Sequence, residues 1–242
     1  MVLNTPIQSR FIQYSDSETI REKFAEYDET FIVLHPFLKI KEGQLITFKY
    51  PNWPNKNEIF DKTVPVSWSE VIEKANLKDI KELDALLAYL HCGRREADRR
   101  AWLKFMRYVK KSKLIIPQVD DYPPLLLNPT FDLLISLGYQ NILLYTAIDD
   151  NQVARNVTEL LLSEDRLPAN ARILTPDHKV LIATDFDDRF SYLSSDRETL
   201  KLIIDKLDLE GFYCNSSTKP GWSYSLLTGG KIDCNSPERT DY

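Results

Sequence analysis

Val180-Leu181-Ile182-Ala183-Thr184, Asp185-Phe186-Asp187-Asp188-Arg189 and Phe190-Ser191-Tyr192-Leu193 run consecutively, and their reading decides the fold class. The first five residues are apolar and rich in β-branched side chains, the pattern of a strand covered on both faces. Asp187-Asp188 supplies a turn, because aspartate side chains accept bonds from nearby backbone amides and tolerate tight geometry. Phe190 and Tyr192 then share one face of a returning strand. Ser195-Asp196-Arg197-Glu198 reads as a capping box. Behind it Leu200, Ile203, Ile204 and Leu207 recur at helical spacing, so one face of that helix docks on the hairpin. Gly211 closes the helix, and Phe212-Tyr213-Cys214 forms one more short strand. A helix laid on a strand pair makes a layered core.

Upstream, Thr19-Ile20-Arg21-Glu22 caps a short helix. Phe31-Ile32-Val33-Leu34 reads as a buried strand limited by Pro36, and Gln44 to Tyr50 as another strand. Ser67-Trp68-Ser69-Glu70 opens a helix to about Ala75. Leu83, Leu86, Leu87 and Leu90 form an amphipathic stripe from Ile80 to His91, and a basic helix follows to Lys111. The proline-rich run 117–129 is the expected boundary between two α+β lobes, 1–116 and 117–242, unless the chain is one continuous domain. Asn128-Pro129 is expected to cap a helix to Leu137. Ile142 to Tyr145 is a strand, and Asp149 or Asp150 is expected to cap a helix through about Leu162. The fold class is therefore α+β, a mixed and mainly antiparallel sheet packed with several helices around a helical middle segment.

Composition narrows the functional classes. The chain has 242 residues, 43% hydrophobic and 28% charged, with a net charge of −5. That balance is globular and weighs against bulk polyanion binding. Only 7 Gly are present, against a glycine-looped nucleotide binder. Three widely spaced cysteines without a CxxC pair fit reduced thiols, and the cytoplasm is the expected location. The first ten residues lack a signal pattern, and the greasy stretch from Leu133 to Ile148 is interrupted by polar residues.

Four constellations are candidates for chemistry or binding. Between Arg94 and Lys113 nine cations face two acids. On a helical wheel Arg99, Arg100, Lys104, Arg107, Lys110 and Lys111 lie opposite Ala101, Trp102, Phe105, Met106 and Val109. Such a stripe contacts phosphates, pairs with acidic parts of the same chain, or faces water. Asp185 and Asp187 after an apolar strand, with His178 nearby in sequence, are candidate ligands for Mg²⁺ or Mn²⁺. The same aspartates serve a hairpin turn, which is the preferred reading. Asp-x-Asp after an apolar strand resembles the haloacid-dehalogenase nucleophile motif, but Arg189 stands where that motif has a small residue. Among the histidines, His35 at the end of a buried strand suits a structural hydrogen bond. Trp53, Trp222 and Tyr224 are candidate anchors for a partner.

The order DHKVLIATDFDDRFSYLSS, a helix, LEGFYC and a downstream GWS, from Asp177 through Trp222, resembles uncharacterised Gram-positive bacterial proteins grouped as a domain of unknown function. It is also similar, more faintly, to bacterial toxin-immunity proteins, in which a small sheet with helices presents an acidic surface. The resemblance implies a bacterial cytoplasmic protein and supplies no catalytic residue. The expected function is a non-enzymatic protein-binding or immunity-like module. A metal-assisted enzyme using Asp185, Asp187 and His178 is one alternative, and polyanion binding by the 94–113 helix the other. No catalytic residue or cofactor is assigned; a protein partner is expected ahead of nucleic acid, and no membrane.

Overall fold

A computed structural model describes residues 18–48, 53–92, 98–146, 149, 151–221 and 223–228. The first half runs α1 (Ile20–Lys23), β1 (Glu29–Leu34), β2 (Phe37–Ile40), α2 (Lys56–Lys62), β3 (Thr63–Val66), α3 (Trp68–Lys74), α4 (Ile80–Cys92) and α5 (Arg99–Lys111). It continues with β4 (Leu114–Ile115), α6 (Pro124–Ser136), β5 (Asn141–Thr146), β6 (Val153–Asn156) and α7 (Val157–Leu162). The closing part holds β7 (Ala171–Leu174), β8 (Leu181–Ala183), β9 (Phe190–Ser195), α8 (Arg197–Leu207), β10 (Gly211–Tyr213) and α9 (Tyr224–Leu227).

Seven strands form an antiparallel sheet in the order β10-β1-β9-β8-β7-β5-β6. The period-2 alternation of side chains sends its residues into two cores. Ile32, Leu34, Leu181, Ala183, Phe190 and Tyr192 meet α3, α4 and α5 on one face. Phe31, Val33, Ile173, Ile182 and Leu193 meet α6, α7 and α8 on the other. The hairpin expected from Val180 to Leu193 is thus the middle of a three-layer α+β arrangement. β1 sits between β9 and β10, so the large sheet draws strands from both sides of the 116/117 boundary.

A second, three-stranded antiparallel sheet has the order β3-β2-β4. It holds the main departures from the sequence reading. The strand expected at Gln44–Tyr50 is absent over 44–48; Lys49, Tyr50, Pro51 and Asn52 lie outside the described residues. The strand forms at Phe37–Ile40 instead, because Thr63–Val66 offers that segment a ladder.

Other expectations shift by a turn. α6 starts at Pro124 and carries Pro129 inside it, so Asn128 is a helical residue and not the cap. The helix expected from Asp149 splits into edge strand β6 and α7, whose cap is Asn156, accepting from the Glu159 amide. The cap of α8 is Asp196, accepting from Thr199 at 2.9 Å, whereas Ser195 belongs to β9 and donates to the Lys179 carbonyl. α8 ends at Asp208 in a left-handed conformation (φ 49°), and Gly211 opens β10.

Candidate functional site

β1 leaves the large sheet at a corner. The His35 amide donates to Arg189 O at 3.0 Å, the last rung before Pro36, which has no N–H to continue pairing. The chain then enters β2 in the small sheet. Two clefts flank this corner.

The larger has a volume of about 270 Å³. Leu34, Leu126, Leu207 and Leu209 supply apolar wall, and Glu70, Asp208 and Glu210 supply carboxylates; among the described residues no lysine or arginine lines it. Four chain segments meet there, and two of them carry the carboxylates. Glu70 is in the first turn of α3, whose N-cap Ser67 accepts from the Glu70 amide at 3.0 Å. Asp208 is set by its left-handed backbone at the end of α8. Glu210 caps α3 from far along the chain: its carboxylate accepts from the Ser69 amide at 2.8 Å, and from the Trp68 amide and the Ser69 hydroxyl. That junction joins the end of α8 to α3, where free amides and the helix dipole favour an anion.

The second cleft has a volume of about 30 Å³, above the roughly 10–15 Å³ that a single water needs. His35, Gln118 and Asp121 are its polar lining. His35 is buried, with Nε2 2.7 Å from Ser191 Oγ, and Ser191 Oγ is 2.7 Å from Thr184 Oγ1. Burial pushes the His35 pKa down to about 3, and the Arg189 charge acts in the same direction. The Gln118 backbone favours the charged ring, yet His35 Nδ1 has no hydrogen-bond partner. This is a Ser–His pair in distance alone: Ser191 is fully buried and no carboxylate bonds the second nitrogen. Arg166 closes the rim, paired to Asp121, donating to Gln118 at 2.7 Å and lying 6.0 Å from the Trp53 ring centroid. Burial raises the Asp121 pKa, with Arg166 opposing.

The acidic corner after β8 is a turn. Asp187 has φ 63°, the Asp188 amide donates to Asp185 O, and the Asp187 amide donates to Asp120 Oδ1 at 2.6 Å. Asp185 lies 3.7 Å from the Arg172 guanidinium, both buried. Burial, helped by the Asp185 and Asp187 charges, holds the Asp188 pKa well above the carboxylate range. His178 is in the turn at the other end of β8, so the structure does not bring it to Asp185 and Asp187. Among the described residues no three His, Cys, Asp or Glu side chains are grouped to hold a metal ion.

The basic stripe is placed as its wheel implied. Ala101, Phe105 and Val109 are buried, and Arg99, Arg100, Lys104, Arg107, Lys110 and Lys111 are exposed. Arg94, Arg95 and Trp222 lie outside the described residues. Tyr224 is half-buried, its ring edge-on to Phe212 at 5.5 Å and its amide donating to buried Asp84 at 2.9 Å.

A family model described as "Protein of unknown function (DUF2711)" matches residues 16–224. The chain belongs to this family. No curated protein and no solved structure matches it. Among the described residues of this DUF2711 chain, no helix is long and apolar enough to cross a membrane.

The carboxylates of the large DUF2711 cleft are residues that sequence reasoning passed over, whereas His35 in the small one was legible as a structural group. Glu70 was legible as a cap residue only, and Asp208 and Glu210 carried no signal of their own. The one available hint was a helix end followed closely by acid and glycine, Asp208-Leu209-Glu210-Gly211.

Proposed function

We propose that this DUF2711 chain is a non-enzymatic binding module whose large cleft takes a cationic group on an apolar stem, in particular a lysine or arginine side chain of a protein partner. The observation that carries this reading is the 270 Å³ cleft with leucine walls, three carboxylates and, among the described residues, no cation in its lining. Lysine and arginine bury an aliphatic stem while holding a charged head among polar groups, which is the complement of such a lining. At about 270 Å³ the cleft is at the small end of ligand sites, which run from about 300 to 1,000 Å³, and it has room for one side chain or a small amine. Glu210 is committed to the α3 amides, so the carboxylates that meet the ligand are Asp208 and Glu70, the latter also hydrogen-bonded to Tyr108 and close to the Lys74 charge. The resemblance to bacterial immunity proteins implies an acidic binding surface of this kind. A cytoplasmic setting agrees with Cys214, a buried thiol whose pKa burial pushes up to about 12 and which is therefore inert.

Metal-assisted catalysis at Asp185 and Asp187 is the weaker reading, because Asp185 already has the Arg172 cation beside it. The test is titration of the full chain with an arginine-containing peptide, the same peptide bearing citrulline, and agmatine. The arginine peptide should bind, citrulline should not, and Glu70→Gln/Asp208→Asn should weaken binding by tenfold or more. Agmatine binding as tightly as the peptide would assign the cleft to free amines. Equal affinity of the variant, or no binding by either cation, would remove the reading.

A further inference from the structure

We propose that the outer face of α5 is a docking strip for the phosphate backbone of a nucleic acid, independent of the acidic cleft. α5 contains six cations and no acidic residue between Arg99 and Lys111. Burial of Ala101, Phe105 and Val109 fixes its rotation, so all six cations point away from the core. At 100° per residue they cover an arc of about 140°, centred opposite the buried stripe.

Intramolecular pairing, one of the ordinary explanations for such a face, is not what the structure shows. Among the described residues none of the six makes an ion pair, and Lys104 donates only to the Asn76 carbonyl at 3.1 Å.

The chemistry of the occupant follows from the spacing and from what the face lacks. Arg100, Lys104, Arg107 and Lys111 repeat once per turn along one line, rising about 16 Å at 1.5 Å per residue. Phosphates recur about every 3.4 Å along the axis of one strand, so that line spans roughly five of them. An acidic helix presents carboxylates along one face only about once per 5.4 Å turn, a sparser line of charge than a phosphate backbone. A membrane would need an apolar wedge, and α5 has its apolar residues in the core, leaving Leu103, 54% exposed, among the cations. The net charge of −5 places excess acid on the rest of the chain. Its repulsion is screened beyond about 8 Å at physiological salt, while cations touching phosphate act within that distance.

The experiment is fluorescence anisotropy of labelled 20-mer oligonucleotides, single-stranded and duplex, titrated with the full chain between 50 and 200 mM salt. Four to six contacts predict a log–log slope of about −3 or steeper, a loss of about 60-fold or more over that range. Arg100→Glu/Arg107→Glu alters two exposed side chains, so the circular dichroism spectrum and Tm should hold while oligonucleotide affinity falls at least tenfold. Absent or salt-independent binding, or equal binding by the variant, overturns the proposal. So does tighter binding to phosphatidylserine vesicles or to polyglutamate than to either oligonucleotide.

Discussion

His35 and Asp188 are buried groups for which the folded protein favours the neutral form, and they impose opposite pH slopes. The folded His35 pKa of about 3 lies below the usual 6.5, so the unfolded chain binds more protons in between. Its contribution is complete above pH 6.5 and is lost as pH falls toward 3, at about 1 kcal/mol per pH unit. Replacing His35 with Gln should therefore cost stability at pH 7.5 through the Ser191 bond, yet flatten the decline in Tm between pH 6.5 and 4. A decline as steep as in the parent would show the ring to be charged or exposed. Asp188 has a folded pKa raised above 3.8, so the folded chain binds more protons and stability drops as pH rises through that interval. Asp188→Asn keeps the shape and removes the charge. It should raise Tm at pH 7.5 by about 2–4 °C, the shift of 1 kcal/mol in a chain of this size, with a smaller gain at pH 4. A Tm unchanged or lower at pH 7.5 would count against a buried carboxylate held near-neutral. At this scale the sequence disclosed His35 as a structural group but not its partner, since Ser191 is 156 residues away.

Among the elements, local chemistry was the most legible. Thr19 caps α1 as expected, and the structure shows the cap to be a full capping box, with the Thr19 and Glu22 side chains each accepting from the other's amide. Ser67 caps α3, although its N-terminal amides look to Glu210, which no local pattern announces. The α8 cap was displaced by one residue because β9 claims Ser195 for its final rung opposite Glu29. That displacement is testable. Asp196→Ala should lower stability by about 1 kcal/mol through loss of the cap. A melt indistinguishable from the parent would return the cap to Ser195. Gly211 was read as a helix stop, whereas its role is set by proximity: a Cβ there would lie 1.8 Å from the Ile32 carbonyl oxygen. Gly211→Ala must separate β10 from β1 and should cost about 3 kcal/mol, the upper end of overpacking penalties. A loss below about 1 kcal/mol in urea unfolding would mean that β10 is not docked in this register. α2 has only Ile59 and Phe60 as apolar residues, and β2 and β3 are four-residue runs bounded or interrupted by proline, too short to show a period, so pairing and not pattern creates them.

At the scale of the molecule, the proline-rich run 117–129 looked like a seam because composition shifts there, and composition says nothing about strand order. β1 crosses that seam, paired on one side with β9 and on the other with β10. Its alternating residues enter both cores, Ile32 and Leu34 on one face, Phe31 and Val33 on the other. Removing β1 would leave β9 and β10 with unpaired edges and open both layers at once, so neither part should remain folded without it. A cooperative, single transition is the expected consequence. In a Trp222→Phe variant, Trp53, Trp68 and Trp102 confine tryptophan emission to residues 1–116, while far-UV circular dichroism reports the whole chain. The two urea curves should coincide. Ile32→Ala, which empties a fully buried position, should shift both by the same 2–5 kcal/mol. Separated midpoints, or a shift confined to the emission curve, would mean that residues 117–242 fold without β1 and that the composition boundary is a physical one.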